Sequence, residues 1–371
     1  MSNSRFELEE FLFEKADRQM LPIRGIFELS PVCNLDCKMC YVRMSEKEAR
    51  LNGGLKTADE WLEMARKMKE AGTLFLLLTG GEVFLYKDFK YLYTELTKMG
   101  FVISINTNGT LINEEILEWL AKIPPRYVSV TLYGSSDETY KRLCNDSKGY
   151  SKVTKAIDMM LEKNITVKVT ATITPYNKDD IYGIHQFTKN RDLRCDFVTY
   201  TFPPTRKCNQ VKYDERLSPK EAAKEFIKID NLQLTEEDFY KKICGYLNIL
   251  NDTQGKNEIE GFECRGGHSS YFIGWNGKMQ PCAVIDIPYS LPFEEGFNNA
   301  WERLKKQTKA VKLSKKCIGC KKRKICQKCA AAALTETESF DKTPEYLCEM
   351  TDCLIEEMQK IYEELKKKYE N

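Results

Sequence analysis

The stretch IFELSPVCNLDCKMC, residues 26–40, decides how this chain folds and which chemistry it supports. Residues 26–30 are mostly apolar and predict a buried strand. Cys33, Cys37 and Cys40 follow at the spacing C-x3-C-x2-C. Three thiolates can hold three irons of a 4Fe–4S cluster, which normally takes four. The missing fourth ligand leaves one iron open to a substrate, just as a catalytic metal site keeps a vacant position.

The cysteine content supports metal binding rather than disulfide bonds. The chain has 371 residues and 15 cysteines, an odd number, and its N-terminus lacks the basic and apolar regions of a secretory signal. Disulfide frameworks are typical of small secreted domains, whereas clustered cysteines in a reducing cytosol indicate metal or redox sites. A zinc site with a borrowed fourth ligand is the alternative, although neither His185 nor His268 is adjacent to the motif.

Apolar segments rich in β-branched and aromatic residues predict six buried strands. They cover residues 26–30, 74–79, 101–107, 127–133, 165–173 and 196–202. Helices are predicted between them: one begins at the capping box Thr57-Ala-Asp-Glu60 and ends at Gly72, and the others cover roughly 88–99, 112–122, 151–163 and 178–190. This alternation predicts an α/β fold with a parallel sheet. A curved, partly open (β/α)6 barrel and a flat doubly wound sheet both fit it.

Composition and charge exclude several classes of partner. The chain is 42% hydrophobic and 30% charged, which is the balance of a globular protein with an ample core. Its formal net charge of +2 gives no reason to expect nucleic acid or an acidic membrane as a partner. No run of 18 apolar residues suggests a membrane span. We therefore expect a cytoplasmic protein.

The composition changes along the chain and predicts four parts. These are an N-terminal extension (1–22), the strand–helix repeat (23–202), a connecting segment (203–262) and a cysteine-rich C-terminal domain (263–371). Residues 263–344 show little regular periodicity, as expected where metal ligation replaces a large apolar core. Further helices are predicted at about 218–230 and 345–369.

The cysteine motif at the end of the first strand of a (β/α)6 pattern resembles the radical SAM superfamily over residues 23–202. The resemblance implies a 4Fe–4S cluster on Cys33, Cys37 and Cys40, whose open iron binds the amino and carboxylate groups of S-adenosylmethionine (SAM). It also implies that SAM is cleaved reductively to a 5′-deoxyadenosyl radical, which abstracts a hydrogen atom from the substrate. The three cysteines are therefore the expected catalytic residues.

The segment that ends the second strand resembles the Gly-Gly-Glu motif of this family. It consists of Gly80, Gly81 and Glu82, and Val83 stands where proline commonly follows. The resemblance implies that backbone and carboxylate meet the amino group of SAM. Glycine permits a close backbone approach, and a carboxylate suits an ammonium group.

Other SAM contacts are implied at the ends of later strands. Asn106 and Asn108 are expected near the ribose or in the lumen, and Thr131 near the cofactor carboxylate, because its segment resembles the family's Ser-Leu-Asp-Gly. Arg142 is a second candidate for that carboxylate, or else an exposed helix residue. Met39 occupies the position that often packs on adenine.

A second cysteine cluster resembles the SPASM extension of radical SAM enzymes, which carries two auxiliary iron–sulfur clusters. Its pattern is Cys264-x12-Gly277-x4-Cys282, Cys317-x2-Cys320-x5-Cys326-x2-Cys329 and Cys348, although the family usually has three residues between the fifth and sixth cysteines. The resemblance implies an outer cluster on Cys317, Cys320, Cys326 and Cys348, and an inner cluster on Cys264, Cys282 and Cys329. The resemblance does not identify a fourth ligand for the inner cluster: it is Cys244, Cys353 or a substrate thiol, or else the site stays open. Zinc knuckles are the alternative, because zinc ribbons also use C-x2-C pairs.

SPASM enzymes that resemble this chain mostly modify ribosomal peptides or proteins. We therefore expect a peptide maturase that forms crosslinks or thioethers, epimerises or decarboxylates. The alternatives are a small-molecule radical enzyme and formylglycine formation, although the formylglycine branch places Asp where this chain has Ala283. A zinc-binding interaction protein is the hypothesis from another class.

The resemblance also implies partner proteins. Only 32 residues precede Cys33, too few for a leader-binding domain, so a separate leader-binding protein is expected. An electron donor such as flavodoxin or ferredoxin is the other expected partner.

Overall fold

An eight-stranded sheet forms the centre of the molecule. The structure is a computed structural model that describes residues 2–203, 215–251 and 260–369, without the side chains of 2–7, 251 and 369. Parts of the predicted connecting segment, residues 204–214 and 252–259, lie outside this description. The strands are β1 (Arg24–Glu28), β2 (Phe75–Thr79), β3 (Val102–Thr107), β4 (Tyr127–Thr131), β5 (Val167–Thr172), β6 (Cys195–Val198), β7 (Ser270–Ile273) and β8 (Met279–Gln280).

The strand order separates the two folds that the sequence left open. The order is β6-β5-β4-β3-β2-β1-β7-β8, and every neighbouring pair is parallel except β7 and β8. A doubly wound sheet reverses its order at a switch point. Here β1 to β6 follow one another without reversal, as in a barrel wound in one direction. The predicted partial (β/α)6 barrel is therefore confirmed.

Helices cover one face of the sheet and build most of the C-terminal region. Their bounds are α1 (Ser2–Gln19), α2 (Glu46–Leu51), α3 (Ala58–Glu70), α4 (Phe89–Lys98), α5 (Glu114–Leu120), α6 (Asp137–Cys144), α7 (Gly149–Glu162), α8 (Ile181–Lys189), α9 (Pro219–Gln233), α10 (Glu236–Asn251), α11 (Pro292–Glu295), α12 (Phe297–Lys309), α13 (Lys315–Ile318), α14 (Ala330–Thr337) and α15 (Glu345–Tyr369). Short 3-10 turns lie at Val83–Leu85 and Lys178–Asp180. No helix among the described residues is long and apolar enough to cross a membrane.

Helix α3 shows how local sequence sets the bounds of an element. The hydroxyl of Thr57 accepts a hydrogen bond from Glu60 N, and the Glu60 carboxylate accepts one from Thr57 N at 2.8 Å. This is the predicted capping box, and it satisfies backbone donors at the helix start. Just beyond the helix end, Gly72 has φ +99°, a left-handed conformation that glycine adopts readily.

The alternation of side chains along β1 separates the helix-facing side of the sheet from the barrel lumen. Phe27 packs on Trp61 of α3, with ring centroids 4.4 Å apart. Gly25 faces the same helix, because a Cβ there would lie 2.9 Å from the Cε of Met68. Successive side chains of a strand point to opposite faces, and Arg24 is one residue before Gly25, so it faces the lumen.

The C-terminal region continues the sheet and adds a small core of its own. Strand β7 pairs in parallel with β1, so the sheet does not stop at residue 202. A second apolar cluster includes Phe262, Val284 and Leu313. Helix α12 is amphipathic, with Phe297, Ala300, Trp301 and Leu304 buried, although little regular periodicity was expected there. Its i, i+3, i+4, i+7 spacing is the ordinary pattern of a helix that packs on one side. The four-part division itself stays a prediction.

Candidate functional site

A cavity of about 340 Å³ lies at the carboxyl ends of the parallel strands. Three cysteines line it, Cys33, Cys37 and Cys40, together with residues that end β2 to β6. Strand-end residues lie close together there because the carboxyl ends of parallel strands meet at one edge of the sheet. Predicted SAM contacts in its lining are Met39, Gly80, Gly81, Asn106, Asn108 and Thr131, whereas Glu82 and Arg142 are not in the lining.

Backbone hydrogen bonds fix the loop that carries the three cysteines. Asp36 N donates to Cys144 O at 3.1 Å, and Lys38 N donates to Leu143 O at 3.0 Å, so the loop rests on the end of α6. Cys40 N closes a turn by donating to Cys37 O at 3.1 Å. The three thiols are thus held on a short, anchored segment.

Burial makes the thiolate form of these cysteines costly without a positive partner. It raises the pKa of Cys33 to about 12, and it also raises the pKa of Cys40. A hydrogen bond with Cys144, together with burial, raises the pKa of Cys37. Bound iron would supply the missing positive charge, because metal ligation deprotonates a thiol. The set of three soft donors in a half-buried loop fits an iron–sulfur cluster.

The two glycines at the end of β2 bring two loops into direct contact. A Cβ on Gly80 would lie 2.6 Å from Ser30 O, and one on Gly81 would lie 2.4 Å from Val32 O. Gly81 N donates to Ser30 O at 2.7 Å. The pair therefore braces the segment that leads into Cys33. Its expected approach to SAM stays a prediction.

Glu82 is buried and organises the end of β3. Its carboxylate accepts hydrogen bonds from Thr107 Oγ1 at 2.7 Å, Asn108 N at 2.8 Å and Phe84 N at 3.1 Å. Only 1% of its surface is exposed, and burial raises its pKa. Its contact with the amino group of SAM stays a prediction, but its support of Asn108 is a direct consequence of the fold.

Asn108 connects β3 to the cysteine loop. Its Nδ2 donates to Cys33 Sγ at 3.6 Å and to Asn34 Oδ1 at 3.0 Å. Its Oδ1 accepts from Thr110 N at 2.9 Å, which fixes the orientation of the amide. Asn108 therefore places a donor beside a cysteine sulfur, a role that the sequence motif did not indicate.

Arg142 lies on the exposed side of α6. Its Nη2 donates to Tyr176 O at 2.6 Å, in the loop after β5. This position corresponds to the exposed alternative, and its contact with the SAM carboxylate stays a prediction.

Several lining residues were missed by sequence reasoning. Tyr200 and Phe202 follow β6, and Val284 comes from the C-terminal region. Tyr200 donates to Glu336 Oε1 at 2.7 Å, and Glu336 pairs with Arg216 at 2.6 Å. These contacts connect the cavity wall to the C-terminal region. They could not be predicted from the sequence, because the partners are more than 100 residues apart.

The C-terminal cysteines fall into two groups. Burial, with Cys329 and Cys264 nearby, raises the pKa of Cys282 to about 11. Burial, with Cys326, Cys317 and Cys320 nearby, raises the pKa of Cys348. The groups have the same members as the predicted inner and outer ligand sets, whose metal content stays a prediction. Among the described residues, no three Cys, His, Asp or Glu side chains are placed to hold a single metal ion.

The two candidates for a further inner ligand lie on long helices. Cys244 lies in α10 and Cys353 in α15. Burial raises the pKa of Cys353, with Glu356 and Glu349 nearby.

Comparison with known proteins agrees with this geometry. The sequence model of the Radical SAM superfamily matches residues 27–188. The AdoMet-dependent heme synthase of Methanosarcina barkeri is 23% identical over 330 residues, which cover 85% of this chain and 93% of the synthase. The sporulation killing factor maturation protein SkfB of Bacillus subtilis is 23% identical over 300 residues, covering 81% and 70%. Streptococcus suis SuiB, solved with precursor peptide SuiA, superposes with a TM-score of 0.63 at 18% identity, covering 89% and 76%. The cysteine loop, the singly wound sheet and the family match lead to one conclusion: residues 27–188 are a Radical SAM domain.

Proposed function

We propose that this chain cleaves SAM on a 4Fe–4S cluster held by Cys33, Cys37 and Cys40 and modifies a ribosomal peptide or protein. The observation that carries the proposal is that these three thiols line one cavity with the residues that end β2 to β6. When bound, the cluster supplies the electron that breaks a carbon–sulfur bond of SAM, so that a 5′-deoxyadenosyl radical removes a hydrogen atom from the substrate.

The residues around the cysteine loop hold it and shield it. The amide of Asn108 donates to Cys33 Sγ, and such a donor stabilises added negative charge on the sulfur. Met39, Asn106 and Thr131 line the same cavity and are the proposed SAM contacts. Val284 and Phe202 add apolar surface to the same cavity, and a site with little water protects reactive intermediates from side reactions.

The C-terminal cysteines are proposed to hold two auxiliary clusters. The inner group lies close to the cavity, because Cys282 and Cys329 pack on the small core that contains Val284. The outer group includes Cys320, which is exposed. Residues 305–328 contain 11 Lys and Arg residues. An acidic electron donor of the flavodoxin or ferredoxin type is therefore the proposed redox partner.

The relatives support a peptide substrate, with a small molecule as the second candidate. SkfB is a maturation protein, and SuiB was solved with a precursor peptide. The heme synthase favours the second candidate, because its match covers 93% of that protein. Formylglycine formation is less favoured, because Ala283 stands beside Cys282. A cytoplasmic location belongs to the same proposal.

Anoxic reconstitution tests the metal site. The wild type is expected to be brown and to bind roughly 8–12 irons, and the triple variant Cys33→Ala, Cys37→Ala, Cys40→Ala is expected to lose about four of them. Production of 5′-deoxyadenosine with dithionite should disappear in the triple variant. Cys195→Ala, which removes a buried thiol in β6, is the matched control and should keep both properties. Full turnover in the triple variant, or zinc at these cysteines, would contradict the proposal.

Labelled substrates test the substrate class. A peptide library deuterated at its side chains and Cα positions should transfer deuterium to 5′-deoxyadenosine and gain a defined mass change. Transfer from a small molecule and from no peptide would support the second candidate instead. This experiment leaves the assignment of the cysteine loop unaffected, because SAM cleavage is measured separately.

A further inference from the structure

A second cavity lies at the amino ends of the strands, opposite the cysteine loop. Its volume is about 240 Å³. Arg24 of β1, Ser104 of β3 and Tyr127 of β4 contribute to its walls, and Phe13 of α1 covers it. The chemistry proposed for the carboxyl ends does not use any of these residues.

Four cations line this cavity, and the lining residues that the structure describes include no carboxylate. The cations are Arg24, Arg126, Lys168 and Arg265. Two of them are paired with carboxylates of α1, Arg126 with Glu9 and Arg265 with Asp17 at 2.9 Å.

The other two cations have no carboxylate partner among the described residues. The ammonium of Lys168 lies at the rim, 4.2 Å from the centroid of the Tyr127 ring. Arg24 faces the lumen, and neither side chain makes a hydrogen bond or ion pair with the part of the chain that the structure describes. Burial lowers the pKa of Arg24; nearby Tyr127 opposes this effect, whereas nearby Arg126 and Arg265 add to it.

Such an arrangement is unfavourable in an empty cavity. A guanidinium group withdrawn from water needs a compensating anion or hydrogen-bond acceptors. Among the described residues, the four cations of the lining and their two carboxylate partners leave two positive charges, and an anion with two negative charges matches them. Guanidinium groups bind phosphate through paired N–H donors, and the hydroxyls of Ser104 and Tyr127 add polar atoms to the same walls.

We propose that this cavity binds a phosphate group, either as inorganic phosphate or as the head of a small phosphate ester. Arg24 is the central ligand, Lys168 supplies charge at the rim, and Arg126 and Arg265 complete the positive field. A bound phosphate would hold α1 against the amino ends of β1 to β4.

The test uses the full chain, reconstituted anoxically and transferred to phosphate-free buffer. Inorganic phosphate and glycerol 1-phosphate are titrated separately against chloride at equal ionic strength, and binding is followed by calorimetry and by the thermal unfolding midpoint. A ligand that binds only the folded state raises this midpoint in a saturable way. We expect saturable binding of at least one probe, and the probe that binds identifies the source of the phosphate group.

Arg24→Met is expected to weaken binding at least tenfold. In phosphate-free buffer this variant should unfold at the same temperature as the wild type or higher, because it removes a half-buried cation that has no counter-ion among the described residues. The control Arg66→Met changes an exposed arginine of α3 and should bind like the wild type. Lys168→Met, at the rim of the cavity, is a second test variant and should weaken binding severalfold.

Three outcomes would overturn the proposal. The first is a wild type that responds to neither probe beyond the chloride control. The second is equal phosphate affinity in Arg24→Met and the wild type. The third is an Arg24→Met variant that is less stable in phosphate-free buffer, which would mean that Arg24 is satisfied by the protein itself.

Discussion

Replacing Gly81 by alanine tests whether the glycine pair holds the cysteine loop in place. The new Cβ would lie 2.4 Å from Val32 O and 2.7 Å from Pro31 O, whereas ordinary contacts begin at 3.4 Å. The two backbones must therefore separate by about 1 Å to relieve the overlap. The hydrogen bonds from Gly81 N to Ser30 O (2.7 Å) and from Glu82 N to Val32 O (2.9 Å) would lengthen with them.

The expected effects follow from this displacement. Overpacking a dense site costs about 1–3 kcal/mol, and each weakened hydrogen bond adds about 1 kcal/mol. A 1 Å misplacement of a reacting group lowers a rate by about 100-fold. We therefore expect Gly81→Ala to lose most of the iron bound at Cys33, Cys37 and Cys40 (the first cluster). It should produce 5′-deoxyadenosine at about one hundredth of the wild-type rate and unfold at a lower temperature.

Gly245→Ala provides the matched control for this experiment. Gly245 lies in α10, and a Cβ there would meet no atom within 4 Å. This variant should keep its iron and its rate of 5′-deoxyadenosine production. Its free energy of unfolding should rise by up to about 1 kcal/mol, because alanine has a higher helix propensity than glycine. If Gly81→Ala kept its iron and lost only SAM affinity, the glycine would serve cofactor approach and the bracing argument would be wrong.

Two further predictions concern hydrogen bonds to charged groups. Asn108→Ala removes the donor to Cys33 Sγ, so the reduction potential of the first cluster should fall by about 20–60 mV in an EPR-monitored titration; an unchanged potential would contradict this. Glu221 has its pKa lowered to about 2, chiefly by a hydrogen bond from Lys178, and it caps α9. Since the folded pKa lies below the unfolded value, its contribution is complete above about pH 4.5 and is lost between there and about pH 2. Glu221→Gln should therefore cost about 1 kcal/mol at pH 7 and progressively less from pH 4.5 to 3 in denaturant unfolding, whereas a difference that does not depend on pH would argue against the charge.

The strand–helix repeat and its strand order could be anticipated because both depend on local patterns. Apolar segments such as residues 74–79 and 101–107 became β2 and β3 with bounds shifted by one residue. Parallel strands joined by helices leave few arrangements, since each crossover packs a helix back on the sheet. The convergence of strand-end residues on one cavity then follows from the geometry of the sheet, whichever side chains it contains.

The contacts that organise the cavity could not be anticipated, because their partners are distant in sequence. Glu82 supports Asn108 from 26 residues away, and Tyr200 contacts Glu336 from 136 residues away. A single sequence can indicate the helices and strands, but it does not indicate which side chains of distant elements contact each other. The pairing of β7 with β1 is of the same kind, because the sequence of a four-residue strand does not indicate which strand it pairs with.

One alternation rule accounts for both ends of the barrel. In β3, the residues that face the barrel lumen include Ser104, nearer the amino end, and Asn106, nearer the carboxyl end. In β4 they include Tyr127 and Thr131. A slip of one residue in a strand would turn all of these side chains toward the helices. Since the apolar helix-facing positions fix the register, they also fix which polar groups meet inside. The packing of the sheet therefore positions two separate sets of polar groups, Asn106 and Thr131 beside the cysteine loop at one end, and Arg24, Ser104 and Tyr127 at the other.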